Sequence, residues 1–495
     1  MPANDNYLFS HYYNDEQIGS DLSEGFSQEF TYNPAHYPYI TAELGGGIQV
    51  THRRRPIITA KDTEAMVYTK LGSGANLLGY YMYHGGSNPD GKLTTLHESR
   101  ESGYTNDLPE INYDFNAPIR QFGTISDNYR EIRLLAYFLQ DFGADLAVLP
   151  ADIDPDFVKP GDTHTLRVSV RHDDTHGYVF VNNYQRRLTM DDHKDVVLEG
   201  KTKGEPVRFP KTDIASGEYA FYPYNMKLKN AVLVSALATP LCKLSCKDED
   251  VYVFYGDKDP QFTWEGTPAK VLHLSRADAL SAARVTLRDQ QEYLVLSDDF
   301  VWEENGALRV VGGEETIIRT FPKLSEDVLP ADFKEIAGEG ELTVYKRSQA
   351  KNNANVQTSV SFVQSTKTPE ELSGELVNSC GQPETLKGDE KIYEISVQYA
   401  KENRNDRKEG YDCILSFDYA CESMELFVNG RKVNDYFYTG QRALFSLGYF
   451  DFPTKITAVL HPLHEGDHIY LQEWPKMDDK KACRIEAVTL IEQFS

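Results

Sequence analysis

The 495-residue sequence predicts an α/β unit of β/α-barrel type followed by all-β domains. Three observations carry that prediction. Tyr37 to Gly47 is an apolar run that ends in one acid, Glu43, and three glycines. Gly79 to Asn88 is an aromatic run that ends in His84 and two glycines. Apolar strands ending in a polar residue and a flexible turn are what the rim of a β/α barrel presents, where chemistry sits at the C-terminal strand ends. After about residue 150 the pattern changes to short alternating strands and turns.

The elements follow in order. Residues 1–35 are polar and Tyr-rich and read as an irregular segment, not as the opening of a domain. Tyr39 to Ala42 reads as a strand. Lys61 to Leu71 reads as a helix, with Thr59 as cap, Asp62 and Glu64 in the first turn and Gly72 as its stop. Leu77 to Tyr83 is the next strand. Residues 85–125 form a long excursion of a kind that is usually functional. Asp127 to Phe142 is a helix with Tyr129, Ile132, Leu135, Phe138 and Phe142 on one face, closed by Gly143.

Short strands then recur at Thr165–Val170, Tyr178–Asn182, Val251–Tyr255, Tyr293–Leu296, Ile414–Tyr419, Met424–Val428 and Ile469–Gln472. Asn429-Gly430 signals a tight hairpin turn. The expected domains are 1–150, 151–330 and 331–495, the last a β-sandwich, with 347–356 as a candidate linker.

The net charge of −25 argues against nucleic acid, and Arg53-Arg54-Arg55 is too short to reverse it. A neutral substrate suits the charge better. No apolar run reaches the roughly 18–20 residues that span a bilayer. Met1 to Asn6 has neither the basic start nor the apolar core of a signal peptide, which leans the location toward the cytoplasm. Cys242, Cys246, Cys380, Cys413, Cys421 and Cys483 lack metal-ligand spacing and read as buried free thiols.

Met82-Tyr83-His84-Gly85-Gly86-Ser87-Asn88 resembles the Met-Phe-His-Gly-Gly-Thr-Asn signature of glycoside hydrolase family 35 β-galactosidases. Tyr113-Asp114-Phe115-Asn116-Ala117-Pro118 is similar to that family's Tyr-Asp-Tyr-Asp-Ala-Pro segment. Ala42-Glu43-Leu44-Gly45-Gly46 resembles the strand end that carries its nucleophile. Residues 177–186 resemble the β-domain that follows the barrel in bacterial members. Phe427-Val428-Asn429-Gly430, followed by Asp435, resembles their jelly-roll, galactose-binding-like domains.

The resemblance implies the C-terminal third of a TIM-type (β/α)8 barrel followed by antiparallel β-domains and a jelly-roll sandwich. It implies hydrolysis of terminal non-reducing β-D-galactose by a retaining two-carboxylate mechanism, with no metal or organic cofactor. Glu43 would be the nucleophile, and Tyr113, Phe115 and His84 would shape the galactose pocket. On spacing alone, a solvated acid at a strand end is the plainer reading of Glu43. Packing under the rim is the plainer reading of Phe115, and a strand cap that of His84. Arg54 is a candidate for orienting Glu43, with a surface role as its default. Trp264, Trp302 and Trp474 read as packing residues of the β-domains.

The sequence also departs from the family. Its general acid/base stands in an Asn-Glu pair, and no Asn-Glu dipeptide occurs here. Phe115 replaces a Tyr. A full barrel takes about 250 residues. Strands one to six are therefore expected to be missing and the isolated chain to be inactive or weak. Glu98, Glu101 and Glu110 are loop acids that match no family motif. The alternatives are a partner chain that completes the barrel, a homo-oligomer, or a non-catalytic carbohydrate-binding or assembly subunit.

Overall fold

The computed structural model describes residues 5–10, 36–89, 91–93, 96, 107–153, 158–159, 161–247, 249–312, 315–348, 358–399 and 411–494. It is built mainly of strands. Loop acids Glu98 and Glu101 and most of the candidate linker lie outside the described residues.

The α/β part contains β1 (Tyr39–Leu44), α1 (Ala60–Gly72), β2 (Ala75–Tyr80) and α2 (Asp127–Ala147). The two strands pair in parallel, with Ile40 opposite Leu77, Thr41 opposite Leu78 and Leu44 opposite Tyr80. Thr59 caps α1 in a reciprocal box. Its hydroxyl accepts from the Asp62 N–H at 3.2 Å, and the Asp62 carboxylate accepts from the Thr59 N–H at 2.8 Å.

Gly143 does not close α2, which runs on through Leu146, a buried residue that continues the apolar stripe. A glycine weakens a helix interior only modestly, and packing of the next turn outweighs that cost. The end is set by Arg171. Its buried guanidinium donates to the carbonyls of Leu71, Ala75, Leu146 and Leu149 at 2.9–3.2 Å. One cation thus satisfies carbonyls at the C-termini of both helices, where the helix dipole is negative.

The helices separate the parallel pair from a six-stranded antiparallel sheet. Its strand order is Thr263–Glu265, Ala231–Ser235, Tyr219–Leu228, Gly177–Asn182, Arg167–His172 and Ala151–Asp152. Leu44, Tyr68, Leu71, Leu135 and Phe138 share one core with Tyr178, Phe180 and Phe221 of that sheet. Of the N-terminal segment residues 5–10 are described, a single 3-10 turn over Asp5–Tyr7 and an irregular run after it. Tyr7, Leu8 and Phe9 are buried, and the Tyr7 carbonyl accepts from Asn182 at 2.7 Å and from Arg167 at 3.0 Å.

A three-stranded sheet (Thr239–Ser245, Asp250–Tyr255, Lys270–Leu274) and a five-stranded sheet follow, linked by α3 (Arg276–Ser281). Phe333–Glu339 and Leu342–Ser348 belong to that five-stranded sheet through pairing with Glu315–Phe321. The unit therefore extends to residue 348, and the boundary expected at 330 falls inside it.

The C-terminal unit is a sandwich. One sheet runs Ser359–Gln364, Lys391–Gln398, Lys455–His461, Ser423–Val428 and Arg431–Phe437. The other runs Ala443–Ser446, Tyr411–Ala420 and Arg484–Phe494. Ile395, Val397, Leu415, Phe417, Phe445 and Ile456 meet in the core between them. Asn429 and Gly430 form the hairpin turn at φ 52° and 79°, the left-handed pair such a turn requires. Cys242, Cys413, Cys421 and Cys483 are buried free thiols, whereas Cys246 and Cys380 are half-buried. Among the described residues no helix is long and apolar enough to cross a membrane.

Two stability predictions follow from the sandwich. Gly430→Ala puts a Cβ 3.0 Å from the Glu375 carbonyl at a left-handed position. It should lower stability in urea by about 1–2 kcal/mol.

His461 lies 3.6 Å from Glu390 and 3.4 Å from Glu425. Burial depresses its pKa, but the two carboxylates outweigh burial and raise it to about 9. Its stabilisation is complete below the unfolded value near 6.5 and is lost as pH rises toward 9. His461→Gln should flatten that part of the pH–stability profile measured by thermal unfolding.

Candidate functional site

Glu43 stands at the C-terminal end of β1. Leu44, opposite Tyr80, turns into the core beneath the helices. A register shift between Thr41 and Leu44 breaks the strand's alternation here, and Glu43 itself is exposed. The cross-strand pair Ile40 and Leu77 is also open, 57% and 54% exposed. Gly79 permits the close pairing here, since a Cβ would meet the Thr41 carbonyl at 2.5 Å.

The aromatic wall comes from two segments. Tyr81 follows the end of β2, and its hydroxyl lies 2.6 Å from that of Tyr113. The Tyr113 and Phe115 rings are 4.7 Å apart, and Tyr81 meets Phe115 edge-on at 5.7 Å. Burial, then the Tyr81 hydrogen bond, then the charges of Tyr81 and Glu43 push the Tyr113 phenol up to about 12. Glu43 and Tyr113 thus share one electrostatic environment, and Tyr113 stays a neutral donor at ordinary pH.

Tyr113 and Phe115 do not converge by strand alternation. Only Asn112–Tyr113 is a strand, and Phe115 and Asn116 turn through φ 58° and 51°. Asp114 holds that turn. Its carboxylate accepts from the Asn116 N–H at 2.9 Å, the Gln121 N–H at 2.9 Å and Arg120 Nε at 2.5 Å. The Ile48 N–H donates to the Phe115 carbonyl at 2.8 Å, tying the turn to the glycines after Glu43.

His84 is exposed, and its Nδ1 pairs with the neighbouring Gly85 carbonyl. It serves the local backbone, as a strand cap does. Arg54 sits in a two-residue strand, Arg54–Arg55, paired in parallel with Tyr470–Leu471 of the sandwich region. No bond from Arg54 to Glu43 exists among the described residues, so the suggested orienting role is not realised.

Glu110 is buried, with its carboxylate 3.0 Å from Lys432 Nζ and 3.3 Å from the Ser379 hydroxyl. That commitment removes it as an acid/base for Glu43. Trp264 packs against the core shared by the helices and the six-stranded sheet, Trp302 stacks on Phe300, and Trp474 is exposed.

The residues that sequence reasoning missed hold the site from the sandwich. Asp435 accepts three backbone N–H groups, from Glu110 at 2.6 Å, Ile111 at 2.9 Å and Asn112 at 3.1 Å. Burial raises its pKa, opposed by Lys432 and by those three donors. Lys432 lies 2.9 Å from Glu425 and 3.7 Å from Glu384. Burial opposes its charge, and the carboxylates of Glu425, Glu110 and Glu384 restore it.

A second peg is Arg55, whose buried guanidinium pairs with Glu422 and donates to the carbonyls of Glu422 and Tyr438 at 2.6 and 3.2 Å. Of these, the sequence marked Asp435, five residues after Gly430 of the hairpin. A cavity of about 80 Å³ lies where these parts meet, lined by Tyr113, Phe115, Asn116, Tyr436, Thr439 and Gln441 among others.

Chemically, the arrangement offers one solvent-facing carboxylate beside a hydrogen-bonded pair of phenols. Among the described residues no three His, Cys, Asp or Glu side chains converge as a metal-binding group. No protein-family model matches the chain, and no curated protein matches it significantly.

Asp435→Ala strips the acceptor from three part-buried N–H groups. It should cost about 2–4 kcal/mol and speed amide exchange at residues 110–112, read by hydrogen–deuterium exchange. Unchanged exchange would show that the segment is held by something else.

Proposed function

We propose that this chain carries the nucleophile portion of a retaining β-galactosidase of the glycoside hydrolase family 35 type, acting on terminal non-reducing β-linked galactose. The observation that carries the reading is Glu43, exposed at the C-terminal end of a parallel strand and felt electrostatically by Tyr113 of the Tyr81–Tyr113 pair. Glu43 would attack the anomeric carbon and form a glycosyl-enzyme. Tyr113, kept protonated, would donate to the carboxylate or to a galactose hydroxyl, with Phe115 packing against the tyrosines.

A retaining mechanism needs a second carboxyl about 5–5.5 Å from the first, to protonate the leaving oxygen and then activate water. Glu110 cannot supply it. Parallel strands are normally buried on both faces, yet Ile40 and Leu77 are exposed on this pair. We assign the second carboxyl to further parallel strands of a (β/α)8 barrel, from a longer polypeptide or a partner chain. Those strands would cover Ile40 and Leu77 and bring the acid across from Glu43. The jelly-roll likeness of the C-terminal sandwich belongs to the same proposal.

The competing reading is a non-catalytic carbohydrate-binding or assembly subunit. It draws on the closed cores of the β-units and on the exposure of Glu43.

Hydrolysis of an aryl β-galactoside separates the two. The chain alone should show little or no turnover, and adding a polypeptide that supplies the flanking strands should restore it. Glu43→Gln should then lower kcat by on the order of 10³-fold or more. Robust turnover by the chain alone, insensitive to Glu43→Gln, would sink the proposal.

A further inference from the structure

A cavity of about 420 Å³ lies where the N-terminal turns of α1 and α2 and the start of α3 meet the six-stranded and three-stranded sheets. It shares no lining residue with the cavity beside Tyr113. Its size is that of a small-molecule site.

At its wall two buried acids meet one cation. Arg276 Nη2 donates to Glu131 Oε2 at 2.7 Å and to Glu64 Oε2, which also accepts from the Tyr219 hydroxyl. Glu64 Oε1 is buried with no hydrogen-bond partner among the described residues. Two carboxylates on a single guanidinium nitrogen are not balanced by its one positive charge. Burial and the Glu64 charge push the Glu131 carboxyl up to about 9. Glu131 therefore keeps its proton at neutral pH, and Glu64 alone balances Arg276.

The remaining acids of the wall are committed to protein donors. Glu218 pairs with Lys258 and accepts from the Ala215 N–H at 3.0 Å. Asp257 accepts from the Arg276 N–H at 2.9 Å.

The cationic donors are less occupied. Among the described residues the guanidinium bonds of Arg276 all leave from Nη2, which leaves Nε and Nη1 with capacity. Lys61 makes no ion pair among the described residues. Its ammonium rests 5.4 Å from the Tyr184 ring centroid. Gly217, at φ 82°, lets the chain pass so close that a Cβ would stand 2.8 Å from Lys61 Nζ. Lys61 and Arg276 thus both line the cavity with charged donors to spare, which suit an oxyanion.

We propose that this cavity binds a small organic anion, a carboxylate or a phosphate ester, with its oxyanion held by Lys61 and the open side of the Arg276 guanidinium. The site is independent of the glycosidase reading of Glu43. Its occupancy is tied to the proton on Glu131, whose loss would put a second negative charge in the wall.

The titratable groups around Glu131 are Lys61, Glu64 and Tyr68 from α1 and Arg276 from α3. The sheets add Tyr219, Tyr222 and Tyr255, and the mouth adds Glu218, Asp257 and Lys258. Within that group Glu131 titrates at about 9, so affinity should fall as pH rises from 7 toward 9.

Isothermal titration of the full chain with gluconate, glucose 6-phosphate and glucitol tests the proposal. At least one anion should saturate, and which one does identifies the carboxylate or the phosphate as the source. Glucitol, which is neutral, should not bind. Lys61→Ala, at an exposed position, should weaken the anion tenfold or more while leaving thermal unfolding in place, and the same anion should bind less tightly at pH 9 than at pH 7. Saturation by neither anion would overturn the proposal. So would equal binding of glucitol, or an affinity indifferent to Lys61→Ala.

Discussion

The candidate site depends on one carboxylate in the sandwich. Asp435 gathers the N–H groups of three consecutive residues, Glu110, Ile111 and Asn112, and so fixes where the chain stands one residue before Tyr113. Three charge-assisted bonds to one half-buried acid are costly to break, because three N–H groups lose their acceptor together. The ion pair of Lys432 with Glu110 reinforces the same junction. The sandwich is thus part of the site's scaffold, and the position of Tyr113 relative to Glu43 is decided by a strand far along the sequence.

Elsewhere the α/β part is held by cations that serve carbonyls. Arg171 closes the C-terminal ends of α1 and α2 together. Arg55 reaches the carbonyls of Glu422 and Tyr438. Burying a guanidinium is unfavourable unless its donors are met. Each of these arginines meets that condition only when two separate parts of the chain are docked. They therefore make the docking specific, in a way that the aromatic core shared by the helices and the six-stranded sheet does not.

What the sequence made legible divides along the range of the forces involved. Local signals were accurate. Thr59 with Asp62 marked the start of α1, and Asn429-Gly430 marked its hairpin. Gly143 misled because its cost is small beside the burial of Leu146 in the next turn. The sheet runs past 330 because Leu342–Ser348 pairs with Glu315–Phe321 and Phe333–Glu339 pairs with Leu342–Ser348 in turn, a long-range membership that local pattern does not show. In the candidate site Glu43, Tyr113 and Phe115 were visible as residue types at turns. Tyr81, Lys432 and the acid pair Glu64–Glu131 were not, since their meaning lies in contacts between distant segments that no periodicity encodes.

The distance between Glu110 and Asp435 also orders events during synthesis. The two are 325 residues apart. At ribosomal speeds of about 5–20 residues per second, that interval lasts on the order of tens of seconds. The helices and the six-stranded sheet can close their common core within that time, because their contacts lie far earlier in the chain. The Tyr113 segment cannot reach its final position until the sandwich has emerged and folded. Assembly of the candidate site therefore follows closure of that core, and a chain ended between the six-stranded sheet and Asp435 keeps the partners of its helices but lacks the carboxylate that places the Tyr113 segment.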